Sequence, residues 1–327
     1  MQQRNKLLGA LVAGGLAIAA SAAVAQDKPK FWNLAGGGSA GSWYVGGAII
    51  SEIVNSNLKN VRLTPQPGGG VVNMRSLQSG KADFAFMFTS TSAQALAGEG
   101  PFKGKPLDKV RAIMALSPMY VHLVVRADGP IKTYGDIAAR KISPGKRGFT
   151  GAETFLQLIR EHGMSVESIE GKGGRVLWLD YADATENMRD GLVDGLFSTS
   201  AVPHSSYTEL GSAFPIRIVP LEQKVMEGFA KKTPGWAVGA IPPNSYPGQT
   251  QAVPTLVDAM GLATHADLPE EDAYQFTKLV WEHRKRLIEG YPAYKDLTAE
   301  VAMNEAVKSL PMHPGATRYW REAGLLK

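Results

Sequence analysis

NMRSLQSGKADFAFMFTS, Asn73–Ser90, reads as a helix stopped at Gly80, a strand from Asp83 and a closing cluster of hydroxyls. NMRDGLVDGLFSTS, Asn187–Ser200, repeats that order with Gly191, Asp194 and the hydroxyls Ser198, Thr199 and Ser200. Glycine ends a helix cheaply because it enters the left-handed conformation without a Cβ clash. Two copies of one local design in one chain raise the question of two similar units.

A second pair of segments supports that reading. LAGGGSAGSWYVGG, Leu34–Gly47, and SPGKRGFTGAETFLQLIREHG, Ser143–Gly163, both read as a strand, a glycine turn with hydroxyls and the start of a helix. Val45, Ile49, Ile50, Ile53 and Val54 give the first helix an apolar face, and Phe155, Leu156 and Ile159 do the same for the second. Alternating strands and helices imply an α/β fold of two lobes with mainly parallel sheets. A cleft between two lobes is where a small ligand usually sits. MYVHLVVRADGPI leads out of the first lobe as an apolar strand, and NSYPGQTQAVPTLVDAMGLAT leads back. The expected division is residues 28–125 plus 251–327 for lobe I and 126–250 for lobe II. The tail from LPEEDAYQFTKLVWEHRKRLIEGYP onward reads as helices, with Glu270, Glu271 and Asp272 favourably placed in a first turn.

The first 25 residues carry Arg4 and Lys6, then LLGALVAGGLAIAASA, then AVAQ at Ala23–Gln26. A cationic start, a short apolar stretch and an A-x-A site are the pattern of a secretory signal peptide, here residues 1–25, with an uncleaved anchor as the alternative. The chain holds no cysteine, which excludes disulfides, a thiol nucleophile and a lipoprotein cysteine. The formal charge of +5 is mild, and the basic residues are scattered apart from Arg284–Arg286. Nucleic-acid binding therefore has little support, while an anionic small molecule is compatible. No later stretch is apolar for long enough to span a membrane.

The opening glycines fit two enzyme patterns. Gly36, Gly38 and Gly41 match G-x-G-x-x-G, but the next strand, VRLTPQ, ends without the acidic residue that would hold a ribose. Gly37, Ser39 and Gly41 match the hydrolase elbow G-x-S-x-G, yet the nucleophile of that fold follows several strands and Ser39 follows the first. His122, His162, His204, His265, His283 and His313 stand singly, without metal-ligand spacing. Neither a cofactor nor a metal is expected. Small residues ahead of a helix do let a ligand reach backbone N–H groups, where the helix dipole favours an anion. Ser39 and Ser42 would cap the helix or donate to a carboxylate.

The ordered segments GGGSAGSWYVGG, PGGGVVNMRSLQSGKADFAFMF, VHLVVRADGPIKTYGDI, RDGLVDGLFSTSAVP, IPPNSYPGQTQAVPTL and MHPGATRYWREAGLL resemble the TAXI solute-binding proteins of TRAP transporters. The resemblance covers nearly all of the chain after residue 25. It implies a type II periplasmic-binding-protein fold that captures a small organic acid or amino acid and delivers it to TRAP-type membrane permease subunits, without catalysis. It implies contacts from Gly38, Ser39, Ser42, Trp43 and Tyr44 at the first turn, from Asn73, from the strand end Thr89 and Ser90, and from Ser198. The lobe-two turn GKRGFTG departs from the family's usual G-x-x-G-S-G-T-like pattern, adding Arg147, Phe149 and Thr150 as candidates. A guanidinium can grip both oxygens of a carboxylate, so Arg147 is the expected anion partner. Alternatives are a sensory protein presenting its ligand to a kinase ectodomain, or an exported hydrolase using Ser39.

Overall fold

The structure, a computed structural model, describes residues 28–38, 41–308 and 310–327. The signal-peptide expectation and Ser39 lie outside the described residues. Ten strands are assigned: β1 Lys30–Ala35, β2 Val61–Gln66, β3 Phe84–Phe88, β4 Val110–Arg126, β5 Lys141–Ser143, β6 Arg175–Val176, β7 Gly195–Ser200, β8 Ile216–Ile218, β9 Ala237–Ile241 and β10 Val253–His265. They form one mixed sheet in the order β2-β1-β3-β10-β4-β7-β5-β6, with β8 beside β4 and β9 beside β10. The order is symmetric in design. At one end β1 lies parallel between β2 and β3, and at the other β5 lies parallel between β6 and β7.

The two copies seen in the sequence are those two ends. Gly80 and Gly191 both take left-handed φ values, 67° and 73°, and turn a helix into β3 and β7. Asp83 then accepts the N–H of Asn33 in β1 at 2.7 Å, and Asp194 accepts that of Lys141 in β5 at 2.8 Å. Each aspartate therefore ties the new strand to its parallel neighbour at the place where the ladder begins. The recurrence is a physical device used twice.

Alternation along the strands splits each end of the sheet into two apolar layers. In β3, Phe84, Phe86 and Phe88 enter a core with Trp32, Phe276 and Trp320, while Ala85 and Met87 enter the opposite layer with Met74 and Leu77. The other end is built the same way, with Phe155 and Phe197 in one layer and Leu196, Tyr207 and Leu210 in the other. The result is a two-lobed α/β protein. Among the described residues only β4 and β10 feed both lobes: Ile113 and Leu116 belong to the first core and Val121, Leu123 and Val125 to the second. In β10 the same division separates Met260 and Leu262 from Leu256. The chain thus passes between lobes inside two long antiparallel strands, so the packing changes partners within β4 and β10 and no break in the strand marks the crossing. Among the described residues no helix is long and apolar enough to cross a membrane.

Candidate ligand site

Six helices begin where the lobes meet. From the first lobe come α1 Ser42–Asn57, α2 Gly70–Gln78 and α3 Thr89–Ala97. From the second come α4 Thr150–Glu161 and the helices Tyr181–Arg189 and Ser205–Ala213. A small cavity of about 40 Å3 lies among them, walled by first-turn residues such as Ser42, Gly70, Thr150 and Tyr181, with Trp43, Phe88, Met119, Phe149, Thr199, Ser200 and His204. The residues preceding five of these helices are Gly41, Gly69, Phe88, Phe149 and His204, and none of them caps its helix with a side-chain bond. Glycine and phenylalanine have no side-chain oxygen to offer. The positive ends of the helix dipoles therefore face a cavity from which side-chain caps are missing.

Several polar atoms around this cavity have no partner. Trp43 Nε1, Thr199 Oγ1 and both ring nitrogens of His204 are buried and have no hydrogen-bond partner in the protein. Leaving such a group unpaired costs on the order of 1–3 kcal/mol. Three in one small cavity mark a place built for something polar. No Asp, Glu, Lys or Arg lines it. Burial pushes the His204 imidazole down to about 4, so it is neutral near pH 7. The site is neutral in formal charge and positive only through its dipoles and donors.

A second, larger cavity of about 520 Å3 adjoins the first. Gly37, Gly38, Trp43 and Phe149 line both. Tyr44, Gln66 and the ion pair between Lys146 Nζ and Asp180 Oδ2, 2.9 Å apart, belong to the outer one. The lobes touch across this region. Val71 N–H donates to Gly148 O at 3.2 Å, and the Thr91 and Thr150 hydroxyls are 3.0 Å apart.

Of the residues singled out in the sequence, Gly38, Ser42, Trp43, Phe149 and Thr150 line the inner cavity, and Tyr44 lines the outer. Among the described residues, the other candidates, Asn73, Thr89, Ser90, Arg147 and Ser198, line neither. Asn73 is fully buried and holds backbone carbonyls of Ala35, Gly36 and Phe86. Thr89 and Ser90 donate their hydroxyls to Asp258. Ser198 accepts from the Tyr207 hydroxyl at 2.6 Å. Arg147 is exposed, its guanidinium lying over the Trp178 ring 4.0 Å from the centroid. Gly145 and Gly148 both have left-handed φ, 89° and 87°, and the tight turn between them, set against Trp178, leaves Lys146 at the outer cavity and Arg147 on that ring.

Sequence reasoning passed over Tyr181, His204 and Met119. His204 stood alone among the histidines, four residues beyond the hydroxyl cluster Ser198–Ser200. Thr199 and Ser200 belonged to the hydroxyl cluster already noted, so attention to the whole strand end would have found them.

These features define a class: a two-lobed α/β protein whose lobes close, at converging helix starts, on a cavity with unpartnered polar atoms and no charged side chain in its wall. The chain belongs to the NMT1-like family, whose family model matches residues 34–324. Similar solved structures include XAC2383 from Xanthomonas citri bound to ATP, at 13% identity and a TM-score of 0.48, covering 90% of this chain and 97% of that one. A putative L-cystine ABC transporter protein from Listeria monocytogenes is 12% identical with a TM-score of 0.48, covering 84% and 98%. The periplasmic aliphatic sulphonate binding protein SsuA from Escherichia coli is 13% identical with a TM-score of 0.43, covering 90% and 91%.

Proposed function

We propose that the protein is an exported solute-binding protein that holds a small organic anion between its lobes for a membrane permease. The observation that carries this is the inner cavity: uncapped helix starts and unpartnered buried donors converge on it, with no charged side chain in its wall. Ligand completes the hydrogen bonding on both lobes at once, so it stabilises the closed form, and closure is what a permease can read. The ligand-contacting set under this reading is Gly38, Ser39, Ser42, Trp43, Phe149 and Thr150, joined by Thr199, Ser200 and His204. On the resemblance to TAXI proteins, the permease is of the TRAP type, and the N-terminal 25 residues are removed on export.

Native mass spectrometry of gently purified protein is the test. The expected spectrum carries one small-molecule adduct that leaves on unfolding, on a chain beginning at Gln26. A chain that never carries an adduct, and whose melting temperature no organic anion raises, overturns the reading. For the partner, uptake of the identified solute into proteoliposomes should require this protein together with TRAP-type subunits. Uptake that instead needs ATP and an ABC-type permease replaces that partner.

A further inference from the structure

Two cavities of very different size share one side-chain partition. The inner has about 40 Å3 of room and the outer about 520 Å3. A water needs about 10–15 Å3 on this measure, so the inner one suits a group of a few non-hydrogen atoms. Gly37, Gly38, Trp43 and Phe149 are common to both walls. Trp43 is anchored in the first core, 4.9 Å from the Phe88 ring and 5.6 Å from Phe86. Phe149 comes from the opposite lobe, and its ring crosses to meet the first.

Its ring sits in a notch made of missing side chains. A Cβ on Gly69 would lie 2.5 Å from Phe149 Cδ1, and one on Gly38 would lie 2.8 Å from Phe149 Cε2. On its own lobe the ring meets Gly145, where a Cβ would come within 3.2 Å, and Tyr181, with centroids 5.6 Å apart. It is 8% exposed. Glycines of both lobes thus accept the ring, and the donors Trp43 Nε1, Thr199 Oγ1 and His204 lie in the smaller cavity's wall.

We propose that Phe149 is the specificity-determining residue of the site: it walls off the outer cavity and restricts the ligand to compact monoanions such as short carboxylates. This rests on the solute-binding reading and adds a size limit to it. The anionic head meets helix starts and neutral donors, and Phe149 leaves little space for anything attached to that head. Removing the ring joins the two cavities, so a larger body attached to the same head reaches toward Lys146 and Asp180.

The test uses titration calorimetry with formate, acetate, propionate, benzoate and phenylacetate on the full mature chain. Wild type should bind the short carboxylates at least tenfold more tightly than the aromatic ones. Phe149→Ala should reverse that preference by at least tenfold, while Phe149→Leu, which keeps most of the bulk and guards against a folding defect, should hold the wild-type order. Wild type that prefers benzoate or phenylacetate overturns the proposal, and so does an order unchanged by Phe149→Ala in a folded variant. Failure of every short carboxylate to bind wild type also overturns it. An adduct seen by mass spectrometry would leave the solute-binding reading standing in that event.

Discussion

Gly69 is the residue whose small size most directly serves closure. A methyl group there would meet Phe149 Cδ1 at 2.5 Å and Gly148 O at 3.0 Å, both on the opposite lobe. Gly69→Ala should therefore weaken ligand binding at least tenfold, about 1.4 kcal/mol. The unliganded melting temperature should barely change, since the methyl group would obstruct only the lobe contact. Calorimetry alongside a melting curve separates the two effects. Arg147 belongs at the other extreme. Exposed over Trp178, it should cost less than about 1 kcal/mol of affinity when replaced by alanine. The buried histidines make stability depend on pH. Burial lowers His204 to about 4 and His122 to about 3, against an ordinary value near 6.5. Both contributions are complete above about pH 6.5 and are lost as pH falls through the folded values. Asp258, raised to about 6 by burial, works in the opposite direction: its contribution is full below the ordinary carboxylate value and lost as pH rises through 6. Two imidazoles outweigh one carboxyl, so denaturant midpoints should drop between pH 6.5 and 4. His204→Gln should flatten that slope by an amount on the order of 3 kcal/mol; an unchanged slope would mean His204 does not stay neutral when folded.

At the scale of elements, Asn73 joins three of them. Its Nδ2 donates to Ala35 O and Gly36 O at the end of β1 and to Phe86 O in β3, while its Oδ1 accepts the N–H of Gly69 ahead of α2. One buried amide thus fixes the glycine turn to the sheet and to a neighbouring helix start. Its value lies in position: the turn lines both cavities, and Asn73 sets where that turn can be. Asn73→Ala would leave carbonyls and an N–H unpaired in a fully buried place, and should destabilise the fold by about 2–4 kcal/mol. Chemical denaturation should show this as a lower midpoint with the slope unchanged. A loss under 1 kcal/mol would mean that these groups find other partners.

At the scale of the whole molecule, the lobes meet through both polar and apolar contacts. Val71 to Gly148, Thr91 to Thr150 and the Tyr291 hydroxyl to Pro203 O, at 3.2 Å, are polar links between the lobes. Each is worth about 1 kcal/mol, and a ligand held by both lobes adds to them, shifting the hinge toward closure. β4 and β10, which cross between the cores as neighbouring strands, are the natural hinge. Small-angle scattering should therefore give a larger radius of gyration for ligand-stripped protein than for protein saturated with its solute. Equal radii at saturation would show a molecule that stays closed, and the hinge account would fail.

Local rules were enough to read part of this protein from its residues. Glycine after a helix, aspartate at a strand start and the alternation of FAFMF each act within a few residues, so the repeated α/β units were legible in Asn73–Ser90 and Asn187–Ser200. The glycine turn at Gly38 and the helix start at Ser42 were legible for the same reason. What faces the cavity was decided elsewhere. Two left-handed glycines rotate the Lys146–Arg147 turn so that the expected carboxylate partner covers a tryptophan instead. Pairing of β7 with β4 fixes which strand-end hydroxyls are used up inside and which remain unpaired: Ser198 bonds Tyr207, while Thr199 keeps a free hydroxyl at the cavity. His204 reaches the site only because the second lobe folds its helix start against the first. Contacts between residues far apart in the chain depend on sheet register and lobe closure, and no local pattern encodes those.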